Sequence, residues 1–227
     1  MEVFSGKRKV VEPEAEVAVP IEVRYSIEDD ASRIRKTIDR YAWFIENNYK
    51  PDLPQDIKDR LEKGEEIADE DIISVVEKEY QDDIYLTKAN EIREVWTKES
   101  EAFLENLKRL GRPLAEKYVV ALTRYGVGGS YGSPNFIRLN IQKQNDRPVL
   151  FVIFHEIVHL TIQDLIEKHM TPHWTKERLV DLTMNKLVPE MKRLQRDPEA
   201  AEKIDAIFEK EFPNIEKIIA DIAQLPS

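Results

Sequence analysis

Five consecutive residues, His155-Glu156-Ile157-Val158-His159, unite the side chains best suited to holding a metal ion and moving a proton beside it. The chain has four histidines, and His155, His159, His169 and His173 all fall in one short stretch. Two histidines four apart on a helix project from one face, so both imidazoles can reach a single ion. At roughly 100° per residue, His155, Glu156 and His159 sit at about 0°, 100° and 40°, one polar line along the cylinder. Glu156 then points to the neighbouring side, where a water activated by the ion would lie. The pattern predicts hydrolysis by a metal-activated water with Glu156 as general base. With no cysteine in the chain, a thiolate metal site, a cysteine nucleophile and a disulfide framework are all excluded.

A catalytic zinc needs a third protein ligand and an open fourth position. His169 and His173 lie on or just past the connection to the next helix. Glu177 and Asp181 form a Glu-x-x-x-Asp pair on that helix, and this is the preferred source of the ligand. Asp164 and Glu167 lie too far along the first helix to fold back. The metzincin pattern would need glycine at 162 and histidine at 165, where Ile162 and Leu165 stand. Candidates for a donor to a developing oxyanion are His169, His173, Tyr125 and Tyr131. The sequence does not choose among them; His173 and Tyr131 are carried forward beside Glu156 as catalytic candidates.

The elements that must position these groups can be read from patterning. Val149 to Phe154 has no polar residue, and Ile157, Val158, Leu160, Ile162, Leu165 and Ile166 continue the apolar character. A helix apolar almost all round is a core helix. His155, Glu156 and His159 therefore lie deep, where leaving them unpaired would cost several kcal/mol by rough reckoning. A second helix is expected over about 172–187, introduced by Thr171-Pro172. Strands are expected over 17–25, 118–125 and 136–141. Four of the seven glycines (Gly126, Gly128, Gly129, Gly132) separate the last two. That arrangement predicts an antiparallel hairpin with a long glycine-rich loop, its backbone bare beside a cleft.

At this point the sequence resembles the gluzincin branch of the zincin metallopeptidases, the thermolysin-like group. In that family both histidines of His-Glu-x-x-His and the glutamate of a downstream Glu-x-x-x-Asp hold the metal. The resemblance implies one Zn2+ on His155, His159 and Glu177, with Asp181 orienting His155. It also implies that the 136–141 strand is the rim along which an extended peptide pairs. It covers 118–187 well and 17–47 loosely; Lys176 precedes Glu177 where the group usually has asparagine.

The expected fold is α+β and mostly helical. It is a zincin-like domain with a small antiparallel or mixed sheet, an active-site helix, a glutamate helix and a helical insertion. Residues 1–16 are expected to be a loosely packed acidic arm, and 17–227 one domain. Within it, 118–187 is the catalytic core and 188–227 a set of C-terminal helices. Helices are expected from Asp29 or Asp30 to Asn47 (stripe Ile34, Ile38, Tyr41, Ala42, Ile45), over 54–63, over 69–80, and over 83–110 with Leu86 on its apolar stripe. Residues 48–117 are read as an insertion or a cap over the cleft.

Of 227 residues, 41% are hydrophobic and 34% charged, and the formal charge is −10. That balance speaks against a nucleic-acid partner and for a peptide or protein substrate. The first sixteen residues lack the apolar core of a signal peptide, and no uninterrupted apolar run approaches the roughly 18 residues of a membrane helix. A cytoplasmic protein is expected, with no membrane partner. The contrasting class is a non-catalytic interaction protein retaining a structural or vestigial zinc site. Glu156 argues against it, because a structural site needs no base beside its ligands.

Overall fold

The computed structural model describes residues 19–144, 148–191, 193–195, 198 and 200–225. The expected arm at 1–16 lies outside the described residues. Four strands, β1 (Ile21–Arg24), β2 (Tyr118–Thr123), β3 (Gly129–Gly132) and β4 (Phe136–Asn140), form one mixed sheet in the order β1-β2-β4-β3. Nine helices accompany it among the described residues: α1 (Ile27–Asp39), α2 (Tyr41–Glu46), α3 (Gln55–Glu62), α4 (Asp69–Glu79), α5 (Asp82–Lys108), α6 (Val149–Lys168), α7 (His173–Leu187), α8 (Ala201–Glu211) and α9 (Ile215–Ile222). The architecture is α+β and mostly helical.

The expected antiparallel hairpin of 118–125 with 136–141 is not formed. β2 and β4 are parallel neighbours, with Val119 opposite Phe136 and Thr123 opposite Asn140. The glycine-rich stretch supplies the missing strand. β3 pairs antiparallel with β4, Gly129 opposite Leu139 and Gly132 opposite Phe136. The hairpin is therefore β3–β4, and β4 has no free edge. The rim of the sheet on the site side is β3, not the 136–141 strand. Glycines hid it, because short Gly-rich segments carry none of the β-branched signal that marks a strand.

α6 is the central element, packed against α5, α7, α9, β3 and β4. By length and hydropathy it would pass for a membrane span, contrary to the expectation from uninterrupted runs, but 83% of its apolar window is buried inside the protein. Phe154 stacks on Phe103 of α5 with ring centroids 3.9 Å apart, and Trp96 of α5 completes an aromatic layer with Tyr118. Residues 48–117 thus do not cap the cleft. α5 is a wall of the core, α3 and α4 build a second small core with α1 around Ile34, Ile57, Ile72 and Val76, and only Asn48, Tyr49 and Lys50 reach the cleft.

Two helix readings change. The expected 29–47 helix breaks at Arg40 into α1 and α2, and the break rotates the apolar stripe. Phe44 is buried in place of Ile45, which is exposed. In α5 the inward residue is Tyr85, and Leu86 faces solvent. The N-cap of α1 is Ser26, which accepts from the Asp29 N–H. That leaves Asp30 inside, accepting from the Arg124 N–H at 3.0 Å and from the Tyr85 hydroxyl.

Asp30 carries a testable consequence. Burial pushes its carboxyl up to about 6 from its ordinary 3.8, against the opposing hydrogen bonds of Tyr85 and Arg124. A folded pKa above the unfolded one means that protonation favours the fold. The contribution is complete below the unfolded value and is lost as pH climbs through about 6. The gap corresponds to about 3 kcal/mol. Asp30→Asn should therefore gain on the wild type by up to that amount between about pH 4 and pH 7, measured by urea denaturation. A difference that stays flat across this range would contradict the assignment.

Candidate metal centre

α6 and α7 lie side by side and bring His155, His159 and Glu177 together in the interior. The Nε2 atoms of the two histidines are 3.1 Å apart. Oε2 of Glu177 lies 3.4 Å from Nε2 of His155 and 3.3 Å from Nε2 of His159. The three atoms form a nearly equilateral triangle. Ligands about 2.0–2.1 Å from a tetrahedral ion would stand about 3.3 Å from one another, so the triangle has the size of one face of such a site. This buried group could hold a metal ion.

The second atoms of the ligands are held less tightly. Oδ1 of Asp181, one turn after Glu177, lies 3.6 Å from Nδ1 of His155, too long for a hydrogen bond. Nδ1 of both His155 and His159 is buried without a hydrogen-bond partner. Asp181 thus lies beside His155 without closing the bond.

Charge also favours a cation here. Burial pushes the Glu156 carboxyl up to about 7. Burial depresses His159 to about 4, which leaves its ring neutral at pH 7, the form that binds metals. Burial would depress His155 as well, but Glu177, Glu156 and Asp181 together hold it above its usual value. Burial raises Glu177 too, yet the attraction of the two imidazoles outweighs it and keeps this carboxylate ionised. Three carboxyl groups converge on two imidazoles, and a dication would favour the ionised form of the two that burial raises, Glu156 and Asp181.

Glu156 stands at the wall of an open cleft of about 1330 Å³ that also exposes all three ligands. β3 forms one side of it. Side chains alternate across a strand. Gly129 and Tyr131 face α6, and Ser130 faces α1. A Cβ on Gly129 would stand 2.4 Å from Oε1 of Glu156 and 2.7 Å from Cγ1 of Val152, so only glycine lets the strand approach α6 this closely. The bare backbone expected of the glycine-rich segment is found here. No family model, curated protein or solved structure matches the chain.

Tyr131 stacks on His159, with centroids 4.7 Å apart, and its hydroxyl donates to Gln163 at 2.6 Å and lies 3.4 Å from Nζ of Lys176. His173 also lines the cleft. Its Nδ1 is 3.7 Å from the other Glu177 oxygen, and its Nε2 lies 3.0 Å from the Tyr49 hydroxyl. It belongs to the site's margin and not to the ligand triangle. His169 ends α6 and does not line the cleft. Tyr125 is also absent from it, its hydroxyl donating to Glu79 at 2.8 Å. Asp164 is exposed and paired with Arg112.

Sequence reasoning missed Gln195. Its side-chain amide donates to Glu177 at 3.3 Å and Asp181 at 3.4 Å, and its backbone N–H donates to Asp181 at 2.6 Å. A lone glutamine in a connecting segment gives no signal. Tyr49 was missed as well, although it joins Trp43 and Trp174 in an aromatic cluster around His173.

Proposed function

We propose that the protein is a zinc-dependent peptidase that hydrolyses peptide bonds in the cleft between β3 and α7. The observation that carries this reading is the ligand triangle of His155, His159 and Glu177 with Glu156 beside it, opening onto one cleft. Two imidazoles and one carboxylate are a donor set that zinc favours. Glu156 would be idle in a purely structural site.

When bound, zinc supplies Lewis acidity at the scissile carbonyl and at the attacking water. The chain's own residues do the rest. Glu156 takes one proton from the attacking water as the C–O bond forms, and then returns it to the amine nitrogen as the tetrahedral intermediate collapses and the C–N bond breaks. Its pKa, pushed up to about 7 by burial, suits a group that accepts and then gives a proton near neutral pH. His173 and Tyr131 line the cleft and are the candidate donors to the oxyanion, Tyr131 by turning its hydroxyl from Gln163 to the substrate. The outer edge of β3 is unpaired among the described residues and offers its N–H and C=O groups to an extended peptide, which would join the sheet as a fifth strand.

A fluorogenic peptide library assayed with and without a chelator tests the reading. Hydrolysis that is lost on chelation and restored by zinc is expected; no hydrolysis of any peptide by zinc-loaded protein would overturn it. Gly129→Ala refines the test. The added methyl would meet both the Glu156 carboxylate and Val152, so the carboxylate or β3 shifts, and a misplacement of this size is expected to cut kcat/KM by about tenfold or more. Unchanged kinetics would show that β3 does not set the position of the base.

A further inference from the structure

The cleft carries a charge opposite to that of the chain. The protein has 44 acidic and 34 basic residues. Among the described residues lining the cleft, seven are Lys or Arg and three are Asp or Glu. Two of those three, Glu156 and Glu177, belong to the metal centre, which leaves Asp39 as the one carboxylate on the rest of the wall.

The cations are arranged and not scattered. Arg33, Lys36 and Arg40 follow one another at the spacing of a single helix face along α1 and its end, and all line the cleft. Arg138 joins them from β4, its guanidinium 4.4 Å from the Phe136 ring centroid. Arg33 is the anomaly of the group. It is only 5% exposed, and every acceptor of its guanidinium is neutral: the Ser130 hydroxyl at 2.9 Å, the Val127 carbonyl at 3.2 Å and the Tyr125 carbonyl at 3.4 Å. Among the described residues no carboxylate lies within ion-pairing distance of Arg33, Lys36 or Arg138. Gly126 (φ +78°) makes room for Arg33, since a Cβ there would stand 2.1 Å from its Nε. A buried cation whose attracting carboxylate, Glu156, lies beyond ion-pairing distance is costly, and the like charges of Arg138 and Arg40 raise the cost. The fold accepts both beside the proposed site of hydrolysis.

We infer that the cleft selects peptides carrying carboxylates, with Lys36 and Arg138, backed by Arg33, as the counter-charges along the α1–β3 wall. This rests on the peptidase reading and names its substrate class. A peptide laid along β3 would run past Ser130 and Gly132, bringing its acidic groups onto this wall while the scissile bond faces Glu156.

The test separates recognition from catalysis by using Glu156→Gln protein and fluorescent peptides read by anisotropy. An acidic peptide is compared with its Gln/Asn isostere, each with a free and an amidated C-terminus, at low and high salt. The acidic peptide should bind about tenfold or more tighter at low salt, with the advantage shrinking as salt rises. Lys36→Gln with Arg138→Gln should remove most of that advantage, since two partly exposed pairs are together worth up to about tenfold. These positions are exposed or half-buried, so the double variant is expected to fold; circular dichroism checks it. An advantage of the acidic peptide over its isostere when both are amidated assigns the wall to side-chain carboxylates, and a preference for free over amidated ends that the isostere shares assigns it to the chain terminus. Equal binding of acidic and neutral peptides would overturn the inference even if neutral peptides are hydrolysed. Binding of a single-stranded oligonucleotide with no binding of acidic peptides would overturn it too.

Discussion

Glu156→Gln is expected to abolish hydrolysis while leaving the metal in place. The amide is nearly isosteric and keeps the packing against Gly129, but it can accept no proton from the attacking water. General acid–base groups contribute roughly 10²- to 10⁴-fold to rate, so kcat should fall by at least that range with zinc content unchanged. Glu156 is buried on α6, one residue after His155 and outside the triangle of ligand atoms. The variant therefore separates the base from the ligands. Retained activity with retained zinc would show that another group does this work.

Glu177→Ala should have the opposite signature, losing the metal first and activity as a consequence. Its Oε2 is the one atom that faces both histidine Nε2 atoms. Removing a residue that merely orients a ligand costs about 10- to 100-fold in metal affinity, and loss of a ligand itself should exceed this. The effect is readable without any substrate. A metal at 1,000 times its dissociation constant stabilises the fold by about 4 kcal/mol, and a 100-fold weaker site forfeits about 2.7 kcal/mol of that. Zinc should thus raise the thermal midpoint of the wild type clearly and that of Glu177→Ala little. His173→Ala, at the margin and bonded to Tyr49, should behave like the wild type; the reverse order would make His173 the third ligand.

The parts of this site that lie on helices were legible in the sequence. Periodicity places His155, Glu156 and His159 on one line of α6, and their polarity within an apolar helix marks them. Glu177 and Asp181 are one turn apart, which holds whatever the tertiary fold. What failed were long-range pairings. The order of strands depended on β3, a strand of Gly129, Ser130, Tyr131 and Gly132 whose role is close approach to Glu156 and not burial of apolar side chains. The same glycines that suggested a bare loop beside a cleft concealed the edge strand that forms it. Patterning starts α1 at Asp29 or Asp30, because the burial of Asp30 depends on Tyr85 and Arg124 from distant segments, and the burial of Arg33 depends likewise on Ser130. Gln195 was invisible for the same reason: its importance lies in two carboxylates that only the fold brings to it.

The cleft sets the limits of the functional reading. Its volume exceeds the few hundred to about 1,000 Å³ of a small-molecule pocket, which suits an extended chain. Lys176 sits between the two halves of the site, 3.3 Å from Glu177 and 5.5 Å from the Tyr131 ring centroid, and links the ligand helix to the β3 rim. The competing reading, an interaction protein with a structural zinc, shares the ligand triangle but gives no role to Glu156 or to the close approach of Gly129.

The most direct measurement is the metal content of the untagged protein, by elemental mass spectrometry after equilibration with zinc and removal of unbound metal. The account predicts about one zinc per chain in the wild type and in Glu156→Gln, and almost none in His155→Ala. A folded wild-type protein that retains no zinc, or that retains as much after loss of His155, would contradict it.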